Sequence, residues 1–269
     1  MPKTILITGS TDGIGLATAN MLVAQGHTVL LHGRNPAKLA AAEKALSALP
    51  GAGRIESYVA DLSRMSEVVA LAAAVAKQHR ALDVLINNAG ILRSPGPRTP
   101  DGLDVRFAVN TLAPWLLTQS LLPLLGADAR VVNLSSAAQA PVDLDALAGR
   151  GQLADMSAYS QSKLALTMWS RHMALARKAT GPMIVAVNPG SLLASKMVKE
   201  GFGIAGSDIR IGADILARAA LADEFAAANG LYFDNDGGQF ASPHADALDA
   251  HKCQAVVQVI EAILATIDR

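Results

Sequence analysis

Short apolar runs alternate with longer stretches of helical spacing along most of this chain, and that rhythm restricts the fold more than any single residue does. The runs are Thr4–Thr8, Thr28–His32, Arg54–Val59, Asp83–Ile86, Arg130–Leu134 and Met183–Asn188. Several are continuous in Val, Ile and Leu, so they read as strands buried on both faces. Helical patterns cover Gly13–Gln25, Pro36–Ala48, Ser66–His79, Thr99–Leu125 and Ser157–Lys178, and a last amphipathic helix is expected over Ala245–Ile267. Asn35 followed by Pro36 is a helix start: a capping amide, then a proline whose missing N–H costs nothing at the first helical position. Repeated strand–helix alternation predicts an α/β fold, a single doubly wound Rossmann-type domain with a mostly parallel central sheet. A nucleotide half is expected over residues 1–135 and a catalytic and substrate half over 136–269.

Composition narrows the class of function. Lys+Arg and Asp+Glu both total 23, so the formal net charge is zero. A nucleic-acid or acidic-membrane partner needs a concentrated basic face, and neither partner is expected. Cys253 is the only cysteine, which rules out an internal disulfide and suits a reducing compartment. Met1-Pro2-Lys3 leads directly into a strand pattern with no secretory signal, and no uncharged apolar run reaches the roughly 18 residues of a spanning helix. A soluble, cytoplasmic protein is the expectation.

The first strand ends in Thr8-Gly9-Ser10-Thr11-Asp12-Gly13-Ile14-Gly15, and a helix follows. Glycines there permit a tight turn and a close backbone approach to a pyrophosphate, while the helix N-terminus offers free N–H groups and the positive end of its dipole. The spacing is G-x-x-x-G-x-G rather than G-x-G-x-x-G, so the glycines alone are a weak signal. The second strand ends His32-Gly33-Arg34. A carboxylate in that region favours NAD(H); Arg34 instead suits the 2′-phosphate of NADP(H), although Asp12 adds a nearby negative charge. Asp61-Leu62 follows the third strand and Asn87-Asn88-Ala89-Gly90 the fourth, at positions where small and amide residues either hold loops or line a cofactor.

Tyr159 and Lys163 share one face of a helix by their i,i+4 spacing. A phenol with a pKa near ~10 is a poor acid or base at neutral pH, and an adjacent ammonium is expected to lower that value. Such a pair is common on helix surfaces, so its meaning comes from context. Val131-Val132-Asn133-Leu134-Ser135-Ser136 puts two serines at a strand end, where one can donate to a developing oxyanion. Asn110 can hold a water near Lys163 or satisfy a helix kink. Asn188-Pro189-Gly190 ends the sixth strand and can shape the nicotinamide pocket.

With these motifs in this order, the chain resembles the short-chain dehydrogenase/reductase family from Thr4 to about Ser195. The resemblance implies that Tyr159 is the catalytic acid/base and Lys163 its partner, that Ser136 orients the carbonyl, and that Asn110 is the structural and proton-relay asparagine. It assigns Gly9, Ser10, Thr11, Asp12, Gly13, Ile14 and Gly15 to the cofactor turn, and Asp61, Leu62, Asn87, Asn88, Ala89 and Gly90 to the adenine side. The long Ser136–Tyr159 interval resembles the retinol dehydrogenase and protochlorophyllide reductase-like branch, whose members often use NADP(H). Ala194 departs from the family's Thr or Ser after Pro189-Gly190, with Ser195 one position later. The membrane anchor of many retinol dehydrogenases is not recognisable at the N-terminus.

The expected function is therefore an NADP(H)-dependent oxidoreductase that interconverts a carbonyl and an alcohol. The alternatives are a non-catalytic NADP(H)-binding regulator, or epimerisation or double-bond reduction on the same fold. Two segments, Ala137–Met156 and Ser191–Ser207, follow strand ends and are expected as a substrate wall and a mobile lid, with plain surface loops as the alternative. Asp143, Asp145 and Asp155 in the first either repel acidic substrates or face water. The six histidines lack metal-binding spacing, and Phe233-Asp234-Asn235-Asp236-Gly237 reads as a turn rather than a calcium loop. The long Thr99–Leu125 and Ser157–Lys178 helices are apolar enough to bury a second face, which predicts a homodimer or homotetramer.

Overall fold

The computed structural model describes residues 1–177 and 180–267. Its core is an eight-stranded sheet in the order β3-β2-β1-β4-β5-β6-β7-β8. The strands are β1 (Thr4–Ile7), β2 (Thr28–Gly33), β3 (Ile55–Val59), β4 (Val84–Asn87), β5 (Arg130–Leu134), β6 (Met183–Asn188), β7 (Tyr232–Asp234) and β8 (Gln239–Ala241). All pairings are parallel except the last, where β8 runs antiparallel to β7. The helices are α1 (Gly13–Ala24), α2 (Pro36–Ser47), α3 (Met65–Gln78), α4 (Val105–Phe107), α5 (Ala113–Leu121), α6 (Leu144–Leu147), α7 (Asp155–Ala176), α8 (Lys196–Phe202), α9 (Ile209–Leu221), α10 (Ala245–Leu248) and α11 (Ala250–Thr266).

Successive strand residues point to opposite faces, so the apolar runs feed two cores. Ile5, Ile7, Val29 and Leu31 pack under α1, α2 and α9. Leu6, Leu30, Leu85 and Val131 pack under α3, α5, α7 and α11. The expected doubly wound, mostly parallel sheet is the observed one. Chain direction across the sheet reverses between β1 and β4, which opens a crevice at their C-terminal ends.

Several element boundaries differ from expectation. The Thr99–Leu125 helix does not begin until Val105, because Pro100 and the left-handed Gly102 (φ 76°) interrupt it. It then passes through a π-helical turn at Ala108–Leu112 before α5. The Ser191–Ser207 segment contains α8, capped by the Ser195 hydroxyl. The Ala137–Met156 segment contains α6, whose N-terminus Asp143 caps. The expected Ala245–Ile267 helix divides at Asp249, whose carboxylate accepts from His251 and Lys252 N–H and restarts the helix as α11. The expected Ser157–Lys178 helix starts earlier, at Asp155, and its last residue lies outside the described residues. The stretch between Ser207 and Ala245 carries α9, β7 and β8, none of them expected. Both strands span only three residues, too few for a periodicity to register.

The apolar faces of α5 and α7 are largely used within the chain. Trp115 and Trp169 meet edge to face at 5.5 Å between ring centroids, both buried. Among the described residues no helix is long and apolar enough to cross a membrane.

One buried ionic cluster fixes the start of α7. Arg106 is 1% exposed. It donates from Nε to Asp104 Oδ1 at 2.8 Å and from Nη2 to Asp104 Oδ2 at 2.5 Å, and its Nη1 reaches Asp155, the first residue of α7. Arg106→Ala would leave Asp104 without its counter-charge. Urea unfolding should show a loss of about 3–5 kcal/mol, the usual range for breaking a buried pair from one side. A loss below about 1 kcal/mol would mean the cluster is no more than a surface ion pair.

Candidate active site

A cavity of about 750 Å3 lies along the C-terminal ends of the central strands and runs from the glycine turn to Tyr159. At one end, the turn after β1 is pressed against β4. A Cβ on Gly9 (φ 66°) would lie 2.9 Å from Ala89 Cα, and one on Gly15 would lie 2.2 Å from the Gly9 carbonyl oxygen. Only glycine fits either place. Asn88 Nδ2 donates to the Thr8 and Gly9 carbonyls at 2.8 and 3.0 Å. Thr8 Oγ1 accepts from Asn88 and Ala89 N–H. Asp12 caps α1 by accepting from Gly13 N–H at 2.8 Å, and the first-turn residues Ile14 and Gly15 line the cavity.

His32, at the end of β2, braces the same turn. Its Nδ1 accepts from Gly9 N–H at 3.1 Å, so Nε2 carries the proton and donates to the Ala60 carbonyl at 3.1 Å. Burial pushes its pKa from 6.5 down to about 4, against smaller raising effects of the Ala60 carbonyl and Asp61. Ser10 does not line the cavity. It is fully buried, and its hydroxyl bonds the His32 backbone. Gly33 has a steric reason too: a Cβ there would stand 2.5 Å from Thr11 Cγ2. The exposed Arg34 lines the cavity, and so does Lys38, one turn into α2, which the sequence reading missed. Asp61 and Leu62 line the wall beyond them.

Of Asn87-Asn88-Ala89-Gly90, the last three reach the cavity. Asn87 turns into the core, where Nδ2 donates to Thr118 Oγ1 and Asn133 Oδ1. Asn110 is also buried and away from the cavity wall. Sitting in the π-helical turn, it accepts from Ile91 N–H and donates to the Ile91 carbonyl and to Ser162 Oγ, all at 2.9 Å. It thereby holds the β4 loop against α7. A Cβ on Gly90 would lie 3.3 Å from Lys163 Nζ and 3.4 Å from Asn110 Oδ1, so the three groups converge there.

The other end of the cavity carries Tyr159, Lys163, Ser136, Pro189 and Gly190. Lys163 is 3% exposed; its Nζ donates to the Leu134 carbonyl at 2.6 Å and lies 5.8 Å from the Tyr159 ring centroid. Burial pulls its pKa from 10.5 down to about 8. The expected lowering of the phenol by its neighbour is not what this geometry produces. Burial raises the Tyr159 pKa, and only the hydrogen bond with Ser136 opposes it, because the ammonium is turned toward Leu134. The two serines have separate roles. Ser135 bonds Thr167 Oγ1 at 2.7 Å, whereas Ser136 Oγ accepts from Ala138 N–H at 3.1 Å, which leaves its proton to be donated elsewhere.

Leu92, Val109, Met156, Leu193, Met197 and Val198 add apolar surface to the cavity wall. Leu192 and Met197 were invisible as site residues in the sequence, since they belong to the Ser191–Ser207 segment, whose fold was not foreseen. Ser195 reaches the cavity, but its hydroxyl also accepts from Val198 N–H at 3.2 Å. Asp143, Asp145 and Asp155 do not line the cavity; they cap α6, pair with Arg150 and pair with Arg106.

The sequence model of the family described as short chain dehydrogenase matches residues 3–203. Retinol dehydrogenase 13 of Homo sapiens is 30% identical over 263 residues, covering 91% of this chain and 80% of that one. Retinol dehydrogenase 12 of Mus musculus is 35% identical over 195 residues, covering 71% and 62%. Among solved structures, a protein of Mycobacterium paratuberculosis superposes with a TM-score of 0.81 at 29% identity, covering 98% of this chain and 94% of that one. A short chain dehydrogenase from Burkholderia cenocepacia in complex with NADP superposes with a TM-score of 0.70 at 28% identity, covering 88% and 97%.

The neutral His32 generates a pH prediction. Its folded pKa lies below its unfolded value, so its contribution to stability is complete above about pH 6.5 and is lost as pH falls through 4. Unfolding free energy should decline over that window by on the order of 3 kcal/mol beyond the carboxylate contribution. His32→Gln, compared with the parent in denaturant titrations at pH 7 and pH 4.5, should have the shallower decline. Equal slopes would show that the ring is free to protonate in the fold.

Proposed function

The chain belongs to the short chain dehydrogenase family, and from that premise we propose that it interconverts a carbonyl and an alcohol using NADP(H), with Tyr159 as acid/base. The observation that carries this reading is the continuity of one cavity from the glycine turn to Tyr159, Ser136 and Lys163. The residues fit a dinucleotide. Gly9 and Gly15 let the turn close tightly on itself and on the β4 loop where any Cβ would collide, and α1 begins at that point with first-turn N–H groups suited to a pyrophosphate. Arg34 and Lys38 stand where a 2′-phosphate would need cations, and Gly33 leaves no carboxylate at the end of β2. Asp61, Leu62 and Asn88 to Gly90 would border the adenine side, and Pro189 and Gly190 the nicotinamide.

When bound, the nicotinamide supplies or accepts the hydride. The chain's own residues handle the oxygen and the proton. In the reducing direction Tyr159 gives its proton to the carbonyl oxygen, and Ser136 donates a hydrogen bond to the same atom. A phenol raised by burial stays protonated at neutral pH and so holds the proton that the reduction consumes. Lys163, with its pKa near 8, would bond the ribose hydroxyls and exchange the proton that restores Tyr159. Asn110 keeps the loop at Gly90 against this pair. The wall of Leu92, Val109, Met156 and Met197 favours an apolar carbonyl compound.

Tyr159→Phe should lower kcat by about 10²–10⁴ with NADPH still bound, as expected for a lost general acid. The assay follows NADPH absorbance across aldehydes, ketones, quinones and steroids, with NADH in parallel. Unchanged turnover in the variant would rule out the assigned proton donor, and NADPH binding without any turnover by the parent would favour a sensor. Arg34→Ala should raise the KM for NADPH about 10–100-fold, the equivalent of one charge-assisted hydrogen bond, and leave that for NADH unchanged. Equal changes for both cofactors would refute the 2′-phosphate contact.

A further inference from the structure

β7 and β8 meet in a hairpin that follows the residues matched to the family, and neither Tyr232 nor Asp236 lines the cavity. Two pieces of the site nevertheless hang from it. The parallel register with β6 sets Asp234 beside Asn188, and Phe233 and Phe240 lock the hairpin with their rings edge to face at 5.1 Å. The turn Asp234-Asn235-Asp236 then grips the turn Asn188-Pro189-Gly190-Ser191. Asp236 Oδ1 accepts from Ser191 N–H at 2.7 Å, and Oδ2 accepts from Ser191 Oγ at 2.5 Å and Asn188 Nδ2 at 2.9 Å. Asp234 Oδ1 accepts from Asn188 Nδ2 at 2.8 Å. Asn235 Nδ2 donates to the Pro189 carbonyl at 2.9 Å.

The gripped turn leads into strained backbone at Leu192. Gly190 sits at φ 116°, and Leu192, the one described non-glycine residue at positive φ, at 52°. Such a backbone persists only when its surroundings over-determine it. A single carboxylate that takes three donors from Asn188 and Ser191 anchors the turn leading into it. At the other side of the site, Tyr232 donates from its hydroxyl to the Ser136 carbonyl at 3.2 Å, joined by Gln139 Nε2 at 2.9 Å. Burial and the Asp234 charge keep the Tyr232 phenol protonated, and so a constant donor. With Ser136 O held by these groups and its Oγ accepting from Ala138 N–H, the serine hydroxyl is set beside Tyr159 at the cavity wall.

Resting on the reading above, we infer that Asp236 and Tyr232 are positioning residues of the β7–β8 hairpin: Asp236 holds the Pro189-Gly190 floor under the nicotinamide, and Tyr232 holds Ser136 for the carbonyl oxygen. This assigns a role in the reaction to a hairpin that contributes nothing to the cavity wall.

The test measures binding in two halves. NADPH affinity is titrated by the change in dihydronicotinamide fluorescence, and 2′,5′-ADP affinity by competition. Asp236→Asn keeps the shape and loses an acceptor. It should weaken NADPH about tenfold, as for one charge-assisted hydrogen bond, and leave 2′,5′-ADP within about twofold. A general loss of folding would weaken both alike, so equal weakening, or no weakening of either, overturns the role of Asp236. Tyr232→Phe should lower kcat about tenfold with NADPH affinity unchanged, and should add little in a Ser136→Ala background. Additive losses overturn the role of Tyr232. The parent protein's turnover tests the enzymatic reading separately. If it binds NADPH and reduces no carbonyl, that reading fails, and the two binding titrations still decide on Asp236.

Discussion

A buried ammonium, Lys163 Nζ, reaches across from α7 to the Leu134 carbonyl at the end of β5. The reactive end of the molecule is built around that bond. It fixes how deep α7 sits over the sheet, and so where Tyr159, one helical turn earlier, emerges. It also requires the β4 loop to pass close by without a side chain at position 90. The cost of burying a cation shows in the depressed pKa of Lys163, and the Leu134 carbonyl is the partner that offsets it. The π-helical turn fixes the surroundings by turning Asn110 toward Ile91 and Thr111 toward the Ser162 carbonyl.

The nucleotide end follows the same logic with neutral groups. Thr8, His32 and Asn88 come from three adjacent strands, and each bonds the backbone of the glycine turn or its neighbour. The turn is thus braced by the C-terminal ends of β1, β2 and β4 before any ligand arrives. Pre-set geometry of this sort lowers the ordering cost of binding. The two ends of the cavity are joined through one short stretch, Asn88 to Ile91, which bonds the glycine turn at its start and Asn110 at its close.

Much of this was legible in the residues. Continuous apolar runs gave away buried parallel strands, and the i,i+4 relation of Tyr159 and Lys163 needed only a helix to become a pair. Orientation was less legible. Ser10 and Asn87 belong to the right motifs, yet their side chains face inward, because a motif states position along the chain and burial decides direction. Lys38 and His32 escaped notice since their importance depends on which strand end they stand beside. β7 and β8 were hidden for a different reason. Three-residue strands carry almost no pattern of their own, and their meaning comes from register against β6. The π turn was masked because its apolar residues continue the spacing of the helix around it.

The contact between Gly33 and Thr11 has a consequence for how this scaffold is able to diverge. The end of β2 is where a side chain would inspect the ribose, and Thr11 already occupies the volume that any such side chain needs. A side chain at position 33 therefore requires Thr11 to turn aside or become smaller, so the two positions are sterically coupled. The space at the end of β2 is in that sense set jointly, with one half held by the glycine turn rather than by the strand itself.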